Sequence, residues 1–443
     1  MNRQCVAFAI LFVHLGLGQS VPADPEESPR SVVIGLNYPQ TGPYMNEGLD
    51  QWNAAHLAAD EINNAGGILG ARIRIAWRDT KSDPMIAVRN AVDLIEKEHA
   101  RMLFGGASSD VAAAVGAEAQ KRGVLFFATL SYSTDTTCEK GHRYMFRECH
   151  NSLMSAKALS YYLTEKFPGA NYQYITADYA WGHTTEAAIR TYTDTTDKAK
   201  HPGILIPFPG VTDDQIRNAL EHARVAKPRM LVLVLFGSHM TRAVRIAHEM
   251  GIKQHTQIIG PNLTSVMAES AGPEAMEDVM GTVQWCWNVP YDYNYPRGRE
   301  FVEAFAKYYG RYPGAGAASA YTILYEYKSA VERVGSFDPA RVIRDLEASN
   351  YKFLVIEKPR GHEYTLLKDK QVWRAFDHQS LQTVYVVKCR PPESVGRDRF
   401  KMDYFEIIGS LAGDHAERSL AEWQASRAKA GMPGQLERLS DHE

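Results

Sequence analysis

The chain has 443 residues, of which 45% are hydrophobic and 23% are charged, as in an ordinary globular protein. With 49 basic and 52 acidic residues it carries a formal net charge of −3, which disfavours a nucleic-acid partner. Beyond residue 23 we find no apolar stretch of the length that spans a membrane.

The first residues have the pattern of a secretory leader. Arg3 supplies a positive charge, residues 5–17 form an apolar run, and small and polar residues follow. The apolar run is shorter than the roughly 18 residues that a membrane span needs. We therefore predict a signal peptide at residues 1–23, cleaved after Ala23 or, as the alternative, after Ser20.

Strands and helices alternate along the rest of the chain. After each short apolar strand, apolar residues recur at the spacing of a helix. This alternation is interrupted near residues 145–152 and then starts again. This alternation predicts parallel sheets covered by helices on both faces, so we expect two doubly wound α/β lobes. The predicted strands are 32–36, 73–77, 102–104, 124–127, 172–176, 203–207, 230–236 and 257–259. The predicted helices are 49–62, 84–95, 110–122, 152–166, 183–192, 213–226 and 239–251.

Two clusters of hydroxyl residues follow neighbouring strands of this pattern. One cluster comes after the strand at 102–104 and the other after the strand at 124–127. In open parallel sheets the binding crevice lies at the carboxyl ends of the strands, and a helix N-terminus there attracts anions. Helix capping is the alternative role of each serine. The clusters together predict a ligand site with Ser108, Ser109, Ser131, Tyr132 and Ser133.

Four cysteines follow the leader, which suits two disulfides in an exported protein. Cys138 and Cys149 flank a short loop and strand, so we expect them to pair. Cys286 and Cys389 fit a second bridge or buried free thiols equally well. No pair has the spacing of a zinc site.

Several motifs in a fixed order resemble one family. They include "TGPY" at 41–44, "AADEINNAGGILGARI" at 58–73, "FGGASSDVAAAV" at 104–115, "MFREC" at 145–149, "DYAWG" at 178–182 and "GPN" at 260–262. From residue 31 to about 390 the chain resembles the LivJ-like (type I) periplasmic substrate-binding proteins of branched-chain amino acid ABC transporters. That resemblance implies two α/β lobes joined by a three-strand hinge.

The resemblance also implies where the lobes divide. Lobe 1 would hold residues 31–148 and 289–378, and lobe 2 would hold 149–288 and 379–390. Residues 391–443 would be a C-terminal extension with short amphipathic helices, carrying Phe405, Ile408, Leu411, Leu420 and Trp423 on their apolar faces. We expect the extension to dock on the protein's own surface, with a partner or dimer contact as the alternative. Its end beyond Pro433 is expected to fray.

Ligand contacts carry over from the family position by position. Ser108 matches the serine that holds a carboxylate, the loop at 131–133 matches the second hydroxyl contact, and Trp181 matches the aromatic residue that closes over the ligand. Phe236 faces the same cleft, and Tyr44 stands at its rim. We predict these as ligand-binding residues together with Asn262 of the "GPN" motif.

Asn262 stands where amino acid binders of the family place an acidic residue against the ligand ammonium. A neutral amide cannot offset the desolvation of that charge. Asp178 or Glu47 could compensate, although Asp178 is better explained as a helix cap. We therefore expect an aromatic or other small carboxylate, an amide or an alcohol-derived compound, with amino acids as the alternative.

The resemblance implies a periplasmic protein that captures a small solute and delivers it to a membrane ABC permease, without cofactor or metal. The glycines at 66, 67 and 70 follow a helix and fit a turn, and we find neither a GxSxG motif nor a P-loop. We therefore do not expect an enzyme. The alternative function is a ligand-sensing subunit of the same fold that presents its solute to a membrane receptor.

Overall fold

A computed structural model describes residues 31–348 and 363–439 of the chain. The predicted signal peptide lies outside these residues. Among the residues described, no helix is both long and apolar enough to cross a membrane.

The first part of the chain builds a five-stranded parallel sheet of order β2-β1-β3-β4-β5. Its edge strand β2 is partly exposed, whereas β3 and β4 are buried on both faces, because helices cover both sides of the sheet. The elements are β1 (Ser31–Tyr38), α1 (Met45–Asn64), β2 (Arg72–Asp79), α2 (Pro84–Glu96), β3 (Met102–Gly105), α3 (Ser109–Arg122), β4 (Leu125–Ala128) and β5 (Met145–Arg147).

The second part of the chain begins a second sheet with the same alternation. Its interior strand β8 is an apolar run with every residue buried, as expected for a strand with helices on both faces. The elements are α4 (Ser152–Lys166), β6 (Tyr172–Ala177), α5 (Ala180–Tyr192), β7 (Gly203–Ile206), α6 (Asp213–Ala226), β8 (Met230–Val234), α7 (Ser238–Glu249), β9 (Gln257–Gly260), α8 (Ser265–Ala271), α9 (Pro273–Met276) and β10 (Met280–Val283).

The remaining elements return to the first sheet and then complete the second. They are α10 (Val289–Asp292), α11 (Pro296–Tyr309), α12 (Ala315–Val334), α13 (Pro339–Glu347), β11 (Glu363–Tyr364), β12 (Gln371–Trp373), β13 (Ser380–Leu381), β14 (Val384–Cys389), α14 (Pro392–Val395), β15 (Phe405–Leu411), α15 (Gly413–Ala416) and α16 (Leu420–Lys429). The second sheet has the order β15-β14-β10-β9-β8-β6-β7, and β11, β12 and β13 form a small third sheet.

Helix α12 packs along α1 on the first sheet. The buried carboxylate of Asp50 in α1 accepts backbone N–H bonds from Gly314 at 3.1 Å and from Ala317 at 3.0 Å, and so satisfies the first turn of α12. Residues 289–348 therefore belong with the first sheet in packing. We propose the division into lobes that the sequence predicts.

The chain passes between the two sheets three times, after β5, after β10 and before β14. The three passages lie side by side, because Gln382 donates a hydrogen bond to the carbonyl of Glu148, and Lys368 donates to Gln382 and, at 2.8 Å, to the carbonyl of Gln284. The predicted fold of two doubly wound sheets with a three-strand hinge is confirmed.

The predicted disulfide is wrong in this structure, in which Cys138, Cys149, Cys286 and Cys389 are all buried free thiols. The Cys149 thiol donates to the carbonyl of Ser131 at 3.5 Å, while the Cys138 sulfur accepts from the Arg418 guanidinium at 3.2 Å. The two thiols therefore have different protein partners and are not bonded to each other.

The C-terminal extension differs from the prediction in two ways. Phe405, Ile408 and Leu411 lie on strand β15, which pairs antiparallel with β14, and not on a helix. The end of the extension is not frayed up to residue 439, because Leu436 and Leu439 are buried and Glu437 binds His142 at 2.6 Å. Helix α16, with Leu420 and Trp423, is present as predicted and docks on the protein itself.

Candidate ligand-binding site

The carboxyl ends of the strands in the two sheets face each other. From the first sheet, the predicted site residues follow β1, β3 and β4; from the second, they follow β6, β8 and β9. All nine are buried to at least 95%: Tyr44, Ser108, Ser109, Ser131, Tyr132, Ser133, Trp181, Phe236 and Asn262. Their roles in binding remain predictions.

The four serines divide into two pairs by their hydrogen bonds. The Ser109 hydroxyl accepts from the backbone N–H of Ser133 at 3.0 Å, and the Ser133 hydroxyl accepts from the backbone N–H of Asp135 and from the Thr184 hydroxyl, each at 3.3 Å. The hydroxyls of Ser108 and Ser131 are buried without a hydrogen-bond partner. Ser109 and Ser133 therefore hold the two loops in place.

Ser108 occupies the N-cap position of α3, yet its side chain makes no capping hydrogen bond. Its hydroxyl therefore stands free beside the first N–H groups of a 14-residue helix, where partial positive charge accumulates. Hydroxyls and N–H groups in this arrangement are suited to hold a carboxylate.

An aromatic wall, made of Tyr44, Tyr132, Trp181 and Phe236, encloses the site. The Phe236 ring centroid lies 5.3 Å from that of Tyr44, 5.6 Å from Tyr132 and 6.0 Å from Trp181. Tyr44 and Tyr132 follow strands of the first sheet, whereas Trp181 and Phe236 follow strands of the second. The wall is therefore shared between the two sheets. The Trp181 indole N–H is buried without a partner.

Direct hydrogen bonds join the two sides beside this wall. The hydroxyls of Tyr44 and Tyr179 lie 2.8 Å apart, and the backbone N–H of Ser238 donates to the carbonyl of Pro43 at 3.0 Å. Gly237 has a positive φ of 57°, and a Cβ there would lie 2.5 Å from the Pro43 carbonyl oxygen. The structure thus holds the two sides in a closed arrangement.

Asn262 contacts a residue that the sequence analysis missed. Its side-chain nitrogen lies 2.7 Å from Nε2 of His150, and the Asn262 Oδ1 and His150 Nδ1 atoms are buried without partners. Burial, reinforced by the charges of Lys368 and Arg147, lowers the pKa of His150 to about 3, so the ring is neutral. His150 follows β5, and the same strand-end argument that singled out the serines would have found it.

The two acidic candidates lie in different surroundings. Asp178 is exposed and binds His183 at 2.8 Å, and Tyr179, not Asp178, occupies the N-cap of α5. The expected cap is therefore wrong. Glu47 is buried in the first turn of α1.

Burial, with a contribution from the neighbouring charge of Asp50, raises the pKa of Glu47 to about 7, although the Thr264 side chain and the Arg311 charge act in the opposite direction. The charge of Glu47 in turn contributes to the raised pKa of Tyr44 and of Tyr132, so the carboxyl lies near the aromatic wall. Within residues 31–348 and 363–439, no group of His, Cys, Asp and Glu side chains is arranged to hold a metal ion.

Residues 31–393 match the family model described as periplasmic binding protein. The Leu/Ile/Val-binding protein BraC3 of Rhizobium johnstonii is 30% identical over 136 residues, which are 31% of this chain and 36% of that protein. This chain thus matches only about a third of that relative's length. The Leu/Ile/Val-binding protein homolog 7 of Brucella abortus is 24% identical over 363 residues, which cover 79% of this chain and 86% of that protein.

Solved structures share the fold at low sequence identity. A periplasmic binding protein from Burkholderia mallei has a TM-score of 0.76 at 19% identity and covers 88% of this chain and 96% of its own. A solute-binding protein of an ABC transporter from Rhodopseudomonas palustris, in complex with 3,4-dihydroxybenzoic acid, has a TM-score of 0.73 at 17% identity, covering 88% and 99%. LivJ from Streptococcus pneumoniae, in complex with isoleucine, has a TM-score of 0.68 at 20% identity, covering 86% and 99%.

Proposed function

The chain belongs to the periplasmic binding protein family, a family of extracytoplasmic solute-binding proteins and not of enzymes, and on this premise we propose that it captures one small organic solute between its two sheets and delivers it to the membrane permease of an ABC transporter. In this proposal the N-terminal leader directs export, and the outer surfaces of the closed protein contact the permease.

One observation carries the proposal. Three residues of the candidate site carry buried polar atoms without partners, namely the hydroxyls of Ser108 and Ser131 and the indole N–H of Trp181, and Trp181 belongs to the aromatic wall. An unsatisfied buried polar group costs about 1–3 kcal/mol. A ligand that forms hydrogen bonds with these atoms removes this free-energy cost. This gives a physical reason why the ligand prefers the closed form of the protein. A ligand drives closure only by such a difference in affinity between the open and closed forms.

The ligand class follows from the same atoms. The Ser108 and Ser131 hydroxyls and the N-terminus of α3 suit a carboxylate, and the aromatic wall suits a ring or a flat apolar body. The related structures bind ligands of these kinds, since one holds 3,4-dihydroxybenzoic acid and another holds isoleucine. We therefore infer a small carboxylate with an aromatic or aliphatic body.

The first experiment is a thermal-shift panel of aromatic carboxylates, aliphatic carboxylates, amides and amino acids. A ligand at a thousand times its Kd stabilises the folded protein by about 4 kcal/mol, so a true ligand gives a clear rise in melting temperature. The bound compound should be recovered unchanged. No rise in melting temperature with any compound of the panel, or chemical conversion of the bound compound, would contradict the proposal.

Ser131→Ala and Ser133→Ala form a matched pair for this panel. Ser131→Ala removes a hydroxyl with no protein partner, so we expect an unchanged melting temperature without ligand and a roughly tenfold weaker Kd, the loss of one net hydrogen bond. Ser133→Ala removes an acceptor of two hydrogen bonds, so we expect a lower melting temperature without ligand. Equal effects of the two variants would show that the unpartnered hydroxyl has no special role.

A further inference from the structure

A buried arginine contacts the loop after β4, which holds the second hydroxyl cluster. Arg147, the last residue of β5, is fully buried, and its guanidinium donates to the carbonyl of Ser131, at 3.1 Å, and to that of Ser133. It also donates to the Thr137 hydroxyl at 2.8 Å and to the side-chain oxygen of Gln379 at 2.7 Å. All four partners are uncharged oxygens, so the guanidinium serves here as a rigid hydrogen-bond donor to the loop.

Each carbonyl of the second hydroxyl cluster has a protein partner. The Ser131 and Ser133 carbonyls accept from Arg147. The Tyr132 carbonyl accepts from the backbone N–H of Ser152 at 2.7 Å and from its hydroxyl at 2.9 Å. The Ser131 hydroxyl, in contrast, has no partner. The loop therefore keeps a hydroxyl donor for a carboxylate, which only accepts hydrogen bonds, while its own carbonyl acceptors are engaged.

The same arginine joins this loop to the hinge. Gln379 belongs to the passage before β14, and its amide nitrogen donates to the carbonyl of Cys149, on the passage after β5, at 2.8 Å. The backbone N–H of Arg147 donates to the carbonyl of His378 at 3.0 Å. Arg147 therefore connects the second hydroxyl cluster with two of the three passages that form the hinge.

We propose that Arg147 is a positioning residue, which holds the loop after β4 against the hinge so that the Ser131 hydroxyl stays free to bind a carboxylate of the solute. Arg147 acts through Ser131 and does not itself contact the solute. This inference rests on the proposed function, because it needs a carboxylate held between the two sheets.

A double-mutant cycle with Ser131→Ala tests whether Arg147 acts through Ser131. The probes are benzoate, 3,4-dihydroxybenzoate and isoleucine, titrated calorimetrically into the full-length mature protein. Arg147→Lys keeps the charge but loses the planar fork that reaches several oxygens at once. For each probe that binds, we expect Arg147→Lys to weaken the Kd about tenfold, the value of one net hydrogen bond. In the Ser131→Ala background the same substitution should weaken the Kd by less than about twofold.

Arg190→Lys is the matched control for a purely structural role. Arg190 is a buried arginine in α5 that also donates to two carbonyls, those of Thr195 and His201, at 2.8 Å each. We expect both lysine variants to lower the melting temperature and only Arg147→Lys to weaken the Kd. Amide hydrogen exchange without any probe is a second measurement, since Arg147→Lys should speed exchange in the loop after β4 and Arg190→Lys should not.

Thr137→Val takes the place of Arg147→Lys if the latter does not fold. It removes one acceptor of the guanidinium and keeps the shape of the side chain. It should show the same pattern, namely faster exchange in the loop after β4 and a weaker Kd, with no further weakening in the Ser131→Ala background.

The outcomes separate this inference from the proposed function. If the probes bind but Arg147→Lys leaves the Kd unchanged, or if its effect multiplies with that of Ser131→Ala to about a hundredfold, solute capture stands and the positioning role is wrong. If exchange in the loop is unchanged in the folded variant, Arg147 does not hold the loop, and the inference is overturned whether or not a probe binds. If no probe binds the unchanged protein, the proposed capture of small carboxylates fails and the inference fails with it.

Discussion

Glu47 is a single buried acid that makes the stability of the fold depend on pH. Its pKa is raised from 4.5 to about 7, chiefly by burial. The folded chain therefore binds more protons than the unfolded chain between these pH values, and stability falls as the pH rises through that window. We expect Glu47→Gln to remove the contribution of this carboxyl to the fall, so that the variant gains about 2–3 kcal/mol over the unchanged protein by pH 8 and little at pH 4.5, while Glu326, whose pKa burial also raises to about 7, keeps its own contribution.

Urea unfolding at several pH values measures this difference. Glu274→Gln, at an exposed glutamate, is the matched control and should show a difference that is small at every pH. A Glu47→Gln difference that stays constant from pH 4.5 to pH 8 would mean that the carboxyl is not held neutral by burial.

The sequence predicted where the candidate residues lie in the fold but not their individual partners. Counting from strand ends placed Ser108, Ser109, Ser131 and Ser133 at one edge of the first sheet, where the structure has them. Which hydroxyls are free depends on contacts between loops, such as the bond from the backbone N–H of Ser133 to Ser109, and no local pattern encodes these contacts. The thiol partners of Cys138 and Cys149 depend on distant segments in the same way.

At the scale of elements, the least predictable part of the chain was the extension after β14. Phe405, Ile408 and Leu411 recur at helical spacing, yet they form a strand because β14 offers an open edge with which β15 pairs. Periodicity sufficed for helices such as α6, whose predicted bounds, 213–226, agree with the structure. A sheet edge, in contrast, is a property of the folded sheet and leaves no signal in the segment that will cover it.

Trp423 attaches the extension to the segment between β4 and β5. Its side chain is fully buried, its indole N–H donates to the carbonyl of Thr137 at 2.9 Å, and its ring packs against Phe376 at 5.5 Å. We expect Trp423→Ala to lower the free energy of unfolding by about 3–5 kcal/mol, the usual cost of deleting a large buried aromatic side chain.

Urea titration measures this loss. Tyr308→Ala is the control, because Tyr308 is 70% exposed and its removal leaves no cavity. A loss below about 1 kcal/mol in Trp423→Ala, within the range of surface substitutions, would mean that the extension is only loosely attached.

At the scale of the whole molecule, the alternation of strands and helices was enough to predict two sheets. The contacts that close one sheet over the other were not predictable, because they join residues far apart in sequence. Tyr44 and Tyr179 are 135 residues apart, and their hydroxyls meet only when the two sides of the site come together. In this closed arrangement the side-chain polar atoms of Ser108, Ser131 and Trp181 are buried without partners, so we expect the protein without ligand to favour an open form.

Cross-linking across the closed cleft tests this expectation. Asn46 in α1 and Ser270 in α8 are joined by a 3.2 Å side-chain hydrogen bond across the mouth of the site, in exposed positions. The double variant Asn46→Cys with Ser270→Cys should form a disulfide under mild oxidation. The disulfide should form several-fold faster in the presence of the compound that most raises the melting temperature, because ligand binding shifts the population toward the closed form. The four native thiols within residues 31–348 and 363–439 are buried and should not compete. Each single cysteine variant is the control and should give no intramolecular cross-link. An equal rate of disulfide formation with and without the compound would mean that closure does not depend on the ligand.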